Sequence, residues 1–296
     1  MADNKKNNDL NGREESFKLT PSTTQKLLTY IVLIVGALIS LVPFVWMMST
    51  SVMSLGEALG VAFFPSELYF ENYAEAWQRA RFSEYFMNSI IITSITLTGE
   101  VTFSVLAAYA FARMRFPGRN LIFGILLSTL MIPQMVNIIP NFLTVTWLGR
   151  IGPIKWINNW PALTVPFMGS IFAIFLLRQF FAQIPDELYD SAQIDGAGHL
   201  RFLWKIVLPL SKAPLMVIIV LSFIGSWNSL AWPMLVTNTP DWRPISVGLM
   251  SFVEEAGQQV HLTMAGAFIT IIPILIIYFL TQRQFTESIA RSGLKG

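Results

Sequence analysis

The sequence contains no cysteine and only two histidines, His199 and His261. Disulfides and thiolate metal centres are therefore excluded, and two histidines 62 positions apart do not form a metal-ligand spacing. Charge is scarce as well. Asp, Glu, Lys and Arg make up 13% of the chain, against roughly 25% in an average soluble protein. The net charge of +2 leaves no basic footprint for nucleic acid. There is no GxxxxGK[ST] loop, so the chain has no phosphate cradle of its own for ATP. No HExxH and no GxSxG is present, which removes the commonest hydrolytic constellations. The first 26 residues are polar and lack the apolar centre of a signal peptide, so they read as a cytoplasmic tail.

What the chain has in quantity is uncharged apolar sequence. Hydrophobic residues make up 53% of it and are gathered into runs rather than diluted through a core pattern. A helix needs about 20 apolar residues to cross the hydrocarbon layer. Six runs meet or approach that length: Leu27 to Thr50, Asn88 to Ala112, Leu121 to Val145, Ala162 to Leu177, Ala213 to Val236 and Leu262 to Thr281. The fourth is short by itself, but its uncharged stretch begins at Trp156. The runs lack the two-residue alternation of a membrane β-barrel. The expected fold is an all-α membrane protein with six transmembrane helices over residues 27–281, a polar tail at 1–26 and a second tail at 282–296. Fifteen Lys and Arg fall in the two tails and the 113–119 and 178–212 loops, against five in the three intervening segments. That asymmetry places both termini in the cytoplasm. Prolines 43, 133, 166, 233 and 273 fall in or near the runs and each can kink its helix.

The longest basic loop, 182–211, separates runs four and five. Pro185 suits a first helical position, and Asp186 and Glu187 follow in the first turn, where the helix dipole favours acids. Gly196 can end that helix in a left-handed conformation. A second helix is expected from His199 to Leu208, stopped by Pro209, with Leu203, Ile206 and Val207 as an apolar stripe and Arg201 and Lys205 outside it. Periodicity alone leaves two readings equal: a helix on the inner leaflet, or a helix docking another protein.

The loop resembles the signature of ABC importer permeases, which runs EAA, three residues, Gly, nine residues, Ile, any residue, Leu, Pro. Asp190-Ser191-Ala192 stands at EAA, Gly196 follows after three residues, and Ile206, Leu208 and Pro209 follow after nine. Asp195-Gly196-Ala197 resembles the form seen in the carbohydrate branch of that family. The departures are Asp190 for Glu, one methylene shorter, and Ser191 for Ala. Residues 108–118, Trp227-Asn228 with Trp232-Pro233, and the C-terminal Ser292 to Gly296 resemble maltose-type permeases, in particular the smaller, six-span subunit. The resemblance implies a bacterial inner-membrane subunit whose loop is a coupling helix held in a cleft of an ATPase subunit. It implies as partners a second permease subunit, two copies of the ATPase, an extracytoplasmic solute-binding protein, a carbohydrate substrate and membrane lipid, and no nucleic acid. No cofactor is expected on this chain, with ATP and Mg at the ATPase subunits. Leu294, Lys295 and Gly296 are expected to reach those subunits. Trp242, Phe252, Glu254 and Glu255 are candidates for the solute-binding protein by position alone.

For the substrate pathway, Trp227 and Trp232 offer flat apolar faces, and Asn228, Gln134 and Asn137 offer hydrogen-bonding edges. Ser222, Ser226 and Ser229 share one face of the fifth run. Helix-to-helix packing is the commoner use of such groups and is ranked ahead of substrate contact. Glu100 is the one acid clearly inside a run, and an intramembrane charge is a functional candidate by default. It also feeds the rival reading, an ion-coupled secondary transporter, although no internal repeat or paired membrane charge accompanies it. The cargo stays open among maltodextrins, other oligosaccharides, acidic uronate chains and glycerol phosphates, with the lack of a membrane arginine cluster weighing slightly against an anion site.

Overall fold

The computed structural model describes residues 23–60, 62–79, 81–256 and 259–293, of which 251–256 and 283–293 as backbone. Among them the chain is helical, with no strand. It divides into two compact units, residues 1–47 and 48–296. The first is described by most of α1 (Thr23–Ser51), an uncharged stretch beyond Lys26 that keeps Pro43 inside an unbroken helix. The helix begins four residues before the expected run.

The second unit opens with a short α2 (Leu55–Ala58) and α3 (Glu71–Arg79). Ser54 and Glu57 form a reciprocal capping box around α2. The Glu57 carboxylate also accepts from the backbone and hydroxyl of Ser66. These donors hold its pKa down at about 2, from an ordinary value of 4.5. A depressed carboxyl stabilises the fold above its unfolded pKa, and that contribution is lost as pH falls from about 4.5 toward about 2. The hydrogen-exchange protection of residues 54–66, taken relative to the intrinsic exchange rate at each pH, is therefore expected to fall on acidification across that window, and Glu57→Gln to flatten the response. Protection that stays constant with pH in the unsubstituted chain would remove this role.

The central helix is α4 (Phe82–Arg113), 32 residues long and starting six residues before the expected run. It packs against α3, α7 (Trp160–Thr164), α8 (Ile171–Ala182), α12 (Lys212–Trp227) and α14 (Ile245–Ala256). The last approach is close enough that a Cβ on Gly248 would overlap the Tyr85 ring. The final helix, α15 (Val260–Gly293), keeps Pro273 inside it and lies on α12, α3 and α14. By length and composition four segments can cross a membrane: Thr23–Ser51, Phe82–Arg113, Trp160–Ala182 and Val260–Gln282. The number rises to six when each of two bent pairs is counted as one span: Arg119–Met131 with Gln134–Ile151, at 98°, and Lys212–Trp227 with the preceding loop segment His199–Leu210, at 83°.

Three expected spans are thus broken rather than straight. The third run is α5 (Arg119–Ser128) and α6 (Ile138–Ile151), joined by two 3₁₀ turns around Ile132 and Pro133. Ile132 is extended, as the ring of the following proline requires (φ −85°, ψ 119°). The fourth changes from α7 through a 3₁₀ turn at Pro166 to α8, which Ser170 caps by accepting from the Ala173 N–H at 3.2 Å. The fifth ends its regular helix at Trp227, and α13 (Ala231–Val236) resumes beyond Asn228–Leu230. A proline inside a helix removes a donor and leaves a carbonyl without its partner, so the backbone bends where neighbours can accept the change.

The 182–211 loop folds as α9 (Asp186–Ile194), α10 (His199–Phe202), a π turn over Leu203–Val207 and α11 (Leu208–Leu210). Two details correct the sequence reading. Pro185 is the N-cap of α9, not its first helical residue. Pro209 does not stop the second helix, which continues to Leu210 and turns at Ser211. The wider π turn just before it relaxes the hydrogen-bond ladder at the point where the proline has no N–H to give.

Candidate functional site

The breaks in spans three, four and five face one cavity of about 750 Å³. Its volume falls within the range of small-molecule sites, roughly 300–1,000 Å³. From α4 come Ser89, Thr93, Thr96 and Glu100, one polar stripe along the helix. Gln134, Asn137 and Asn141 come from the third span at and after its proline break, and Gly169 and Ser170 from the fourth. Ser222, Ser226 and Ser229 come from the fifth. Prolines 133, 166 and 233 all line it, whereas Pro43 and Pro273 do not. Irregular backbone at membrane depth persists only where protein or a hydrated cavity serves its polar groups, so the breaks and the cavity explain each other. The Glu100 carboxyl stands on the same cavity wall as the hydroxyls of Ser222 and Ser170. Ser226 reaches Thr93 at 3.3 Å. Thr96 is only 4% exposed and its hydroxyl has no partner.

The second place is the helix–turn–helix unit 186–210. Asp195 closes α9, and Gly196 takes φ +75°. The Ala197 N–H donates to the Ala192 carbonyl at 2.8 Å, and the Gly196 N–H to that of Gln193 at 2.9 Å, the two bonds of a Schellman stop. No atom lies within 4 Å of where a Cβ on Gly196 would sit, so glycine is needed for its backbone, not for space within this chain.

The unit is tied to the end of α4. Arg113 donates to the Phe181 carbonyl at 3.0 Å, to the Ile184 carbonyl and to Asp186. Tyr109 meets His199 Nδ1 at 2.9 Å, and Tyr189 meets its Nε2 at 3.0 Å. Beneath, Phe181, Phe202, Leu203 and Val207 are fully buried with Ala192 beside them. On the other face Ile194, Leu200 and Trp204 are 88%, 66% and 66% exposed. Asp190, Ser191 and Asp195 are exposed too, and Asp190 and Asp195 have no charged partner among the described residues.

Comparison with known proteins decides what kind of molecule carries these two features. Residues 100–286 match the family model of the binding-protein-dependent transport system inner membrane component. The chain belongs to that family. The permease is 38% identical over 208 residues to the sn-glycerol-3-phosphate transport system permease protein UgpE of Yersinia pestis, covering 70% of this chain and 72% of that one. It is 30% identical to the diacetylchitobiose uptake system permease protein NgcG of Streptomyces coelicolor, over 90% and 88% of the two chains. Its fold resembles a crystal structure of a bacterial ABC transporter involved in the import of the acidic polysaccharide alginate. The TM-score is 0.77 at 26% identity, covering 87% of the permease and 95% of that chain. The all-α membrane fold and the identity as an ABC importer permease subunit, rather than a secondary transporter, follow from these matches.

Within the permease, the residues proposed from sequence for a substrate pathway divide. Glu100, Gln134 and Asn137 line the cavity together with the serines of the fifth span. Trp227, Asn228 and Trp232 do not. Trp227 is 2% exposed, stacks on Phe223 and donates to the Thr270 carbonyl at 3.0 Å. Trp232 is 5% exposed and donates to the Ala162 carbonyl at 2.8 Å. Both satisfy their indole N–H against a neighbouring helix, which is packing. Asn228 is the exposed C-cap of α12. Leu294, Lys295 and Gly296 lie outside the described residues, as do the side chains of Phe252, Glu254 and Glu255. Sequence reasoning missed the α4 stripe, although spacings of four, three and four between residues 89, 93, 96 and 100 place them on one helical face. It also missed Arg113 and the Tyr109–His199–Tyr189 chain, for which no local signal exists.

Proposed function

We propose that the permease forms one wall of a carbohydrate pathway through its cavity and is driven from the cytoplasm through residues 186–210. The observation that carries the second part is the division of that unit into two faces. One is locked onto α4 by Arg113 and by buried apolar side chains. The other presents Ile194, Leu200 and Trp204 beside the carboxylates of Asp190 and Asp195. A large apolar side chain held in the open gains by being covered, and unpaired acids at its rim select a basic partner surface. A lipid leaflet with anionic headgroups would disfavour those acids. The occupant proposed is a cytoplasmic ATPase subunit, with Asp190, Ser191, Ala192, Asp195, Gly196 and Ala197 at or under the contact and Ile206, Leu208 and Pro209 leading the motion into span five. ATP and Mg are bound by two such subunits, and both permease termini are cytoplasmic. A second permease subunit closes the pathway, and a solute-binding protein delivers the cargo.

Carbohydrate as cargo is supported by the hydroxyl and amide lining of the cavity and by the relatives named for diacetylchitobiose and alginate. Trp204→Ala is expected to weaken binding of the ATPase subunit to the permease pair in lipid nanodiscs. An interface hot spot costs about 2 kcal/mol, roughly 30-fold in affinity. Unchanged affinity in both Trp204→Ala and Leu200→Ala would sink the docking face.

A further inference from the structure

The cavity has a charge asymmetry. Among the described residues Glu100 is the one ionisable group lining it, with no lysine, arginine or histidine to receive an anion. Everything else polar there is a hydroxyl or an amide. Thr96 adds a buried hydroxyl with no partner among the described residues. Glu100 shares the cavity wall with hydroxyls from two different spans, Ser170 and Ser222, and no counter-charge lines it among the described residues. Hydroxyl donors are what such a carboxylate asks of a ligand too.

We infer that this wall selects an uncharged, hydroxyl-rich cargo, and that Glu100 determines specificity by turning away phosphate esters and uronates. The carboxylate accepts from cargo hydroxyls in place of, or beside, Ser170 and Ser222. The same group repels an anion across a low-dielectric cavity, where charges are felt over several ångströms. The inference rests on the cavity being part of the translocation pathway.

The absence of cysteine provides a clean probe. Ser226 lines the cavity one helical turn from Ser222, so Ser226→Cys places a lone thiol near Glu100. The assembled importer in membrane vesicles is treated with two methanethiosulfonate reagents of similar size, one carrying trimethylammonium and one carrying sulfonate, and labelling is read on this chain after separation. The cationic reagent is expected to react about 10-fold faster or more, relative to the ratio on a free thiol. Adding Glu100→Gln, which keeps the shape and removes the charge, is expected to bring the ratio back to within about 3-fold. Equal rates in the Ser226→Cys protein, or a cationic preference that survives Glu100→Gln, overturn the inference and leave the pathway standing. Failure of both reagents to label overturns the pathway itself and the inference with it.

Discussion

Replacing Gly196 with valine is expected to cost the importer its coupling while leaving the permease inserted and folded in the membrane. The residue sits at φ +75°, in the left-handed region that a β-branched side chain scarcely enters. The strain is about 2 kcal/mol, within the 1–3 kcal/mol typical of such positions. It falls on the turn alone, because no neighbouring atom would meet the new Cβ. The chain relieves it by abandoning the Schellman stop, which frees α9 from the helix that follows. If that turn is the docking-competent form, its population falls roughly 30-fold and apparent affinity for the ATPase subunit falls with it. Asparagine tolerates the left-handed region, so Gly196→Asn is expected to stay within about 3-fold of the unsubstituted importer. The measurements are co-purification of the ATPase subunit and uptake in vesicles. Wild-type uptake with valine at 196 would remove this turn from the coupling path. Loss with asparagine as severe as with valine would point instead to a partner surface packed against the Cα.

Arg113→Ala is expected to release the whole 184–202 segment from the end of α4. The side chain is 9% exposed, and its guanidinium serves two backbone carbonyls, those of Phe181 and Ile184, as well as Asp186. The three bonds are unequal. Asp186 is 88% exposed, and an ion pair with one partner in solvent contributes well under about 1 kcal/mol. The two carbonyls lose a charged donor, and the Phe181 carbonyl keeps only weaker backbone contacts such as the Ile184 N–H at 3.4 Å, a change of about 3 kcal/mol. Hydrogen exchange across 184–202 is therefore expected to quicken about 100-fold in Arg113→Ala and to change little in Asp186→Asn. Arg113→Lys keeps the charge but cannot fork between carbonyls and should fall between the two. If the aspartate variant matched the alanine variant, the ion pair rather than the carbonyl clamp would hold the unit.

These two positions differ in how far the sequence exposed them. Gly196 was legible because a Schellman stop is local: the residues that make and accept its bonds lie within six positions. The same locality made the acidic first turn of α9 legible. Arg113 was not, since its carbonyl partners are about 70 residues away and any arginine ending a span can equally face solvent. His199 was missed for the same reason, with Tyr109 90 residues distant. The tryptophans of span five show the limit from the other side, since the sequence ranks packing ahead of substrate contact but cannot assign it to a partner. Their type suits a sugar face, but type does not say which side of a helix meets a neighbour, and both indoles spend their N–H on another span.

The cavity divides along the same line. Prolines 133, 166 and 233 mark three spans as breakable, yet Pro43 and Pro273 carry the same chemistry inside unbroken helices. Whether a missing N–H bends a helix depends on what lies beside it.

The sequence by itself determined the number of membrane runs, the sign asymmetry of their loops and the importer signature in the loop 182–211. Each of these is a property of contiguous residues: hydropathy over about 20 positions, counts of charge, and a local turn. Only the tertiary structure decided which breaks face one another, which polar groups line the resulting cavity and which are used up between helices. It also decided that Glu100 stands in that cavity without a counter-charge. Those outcomes depend on the rotation of each span against its neighbours, which packing sets and no single run contains.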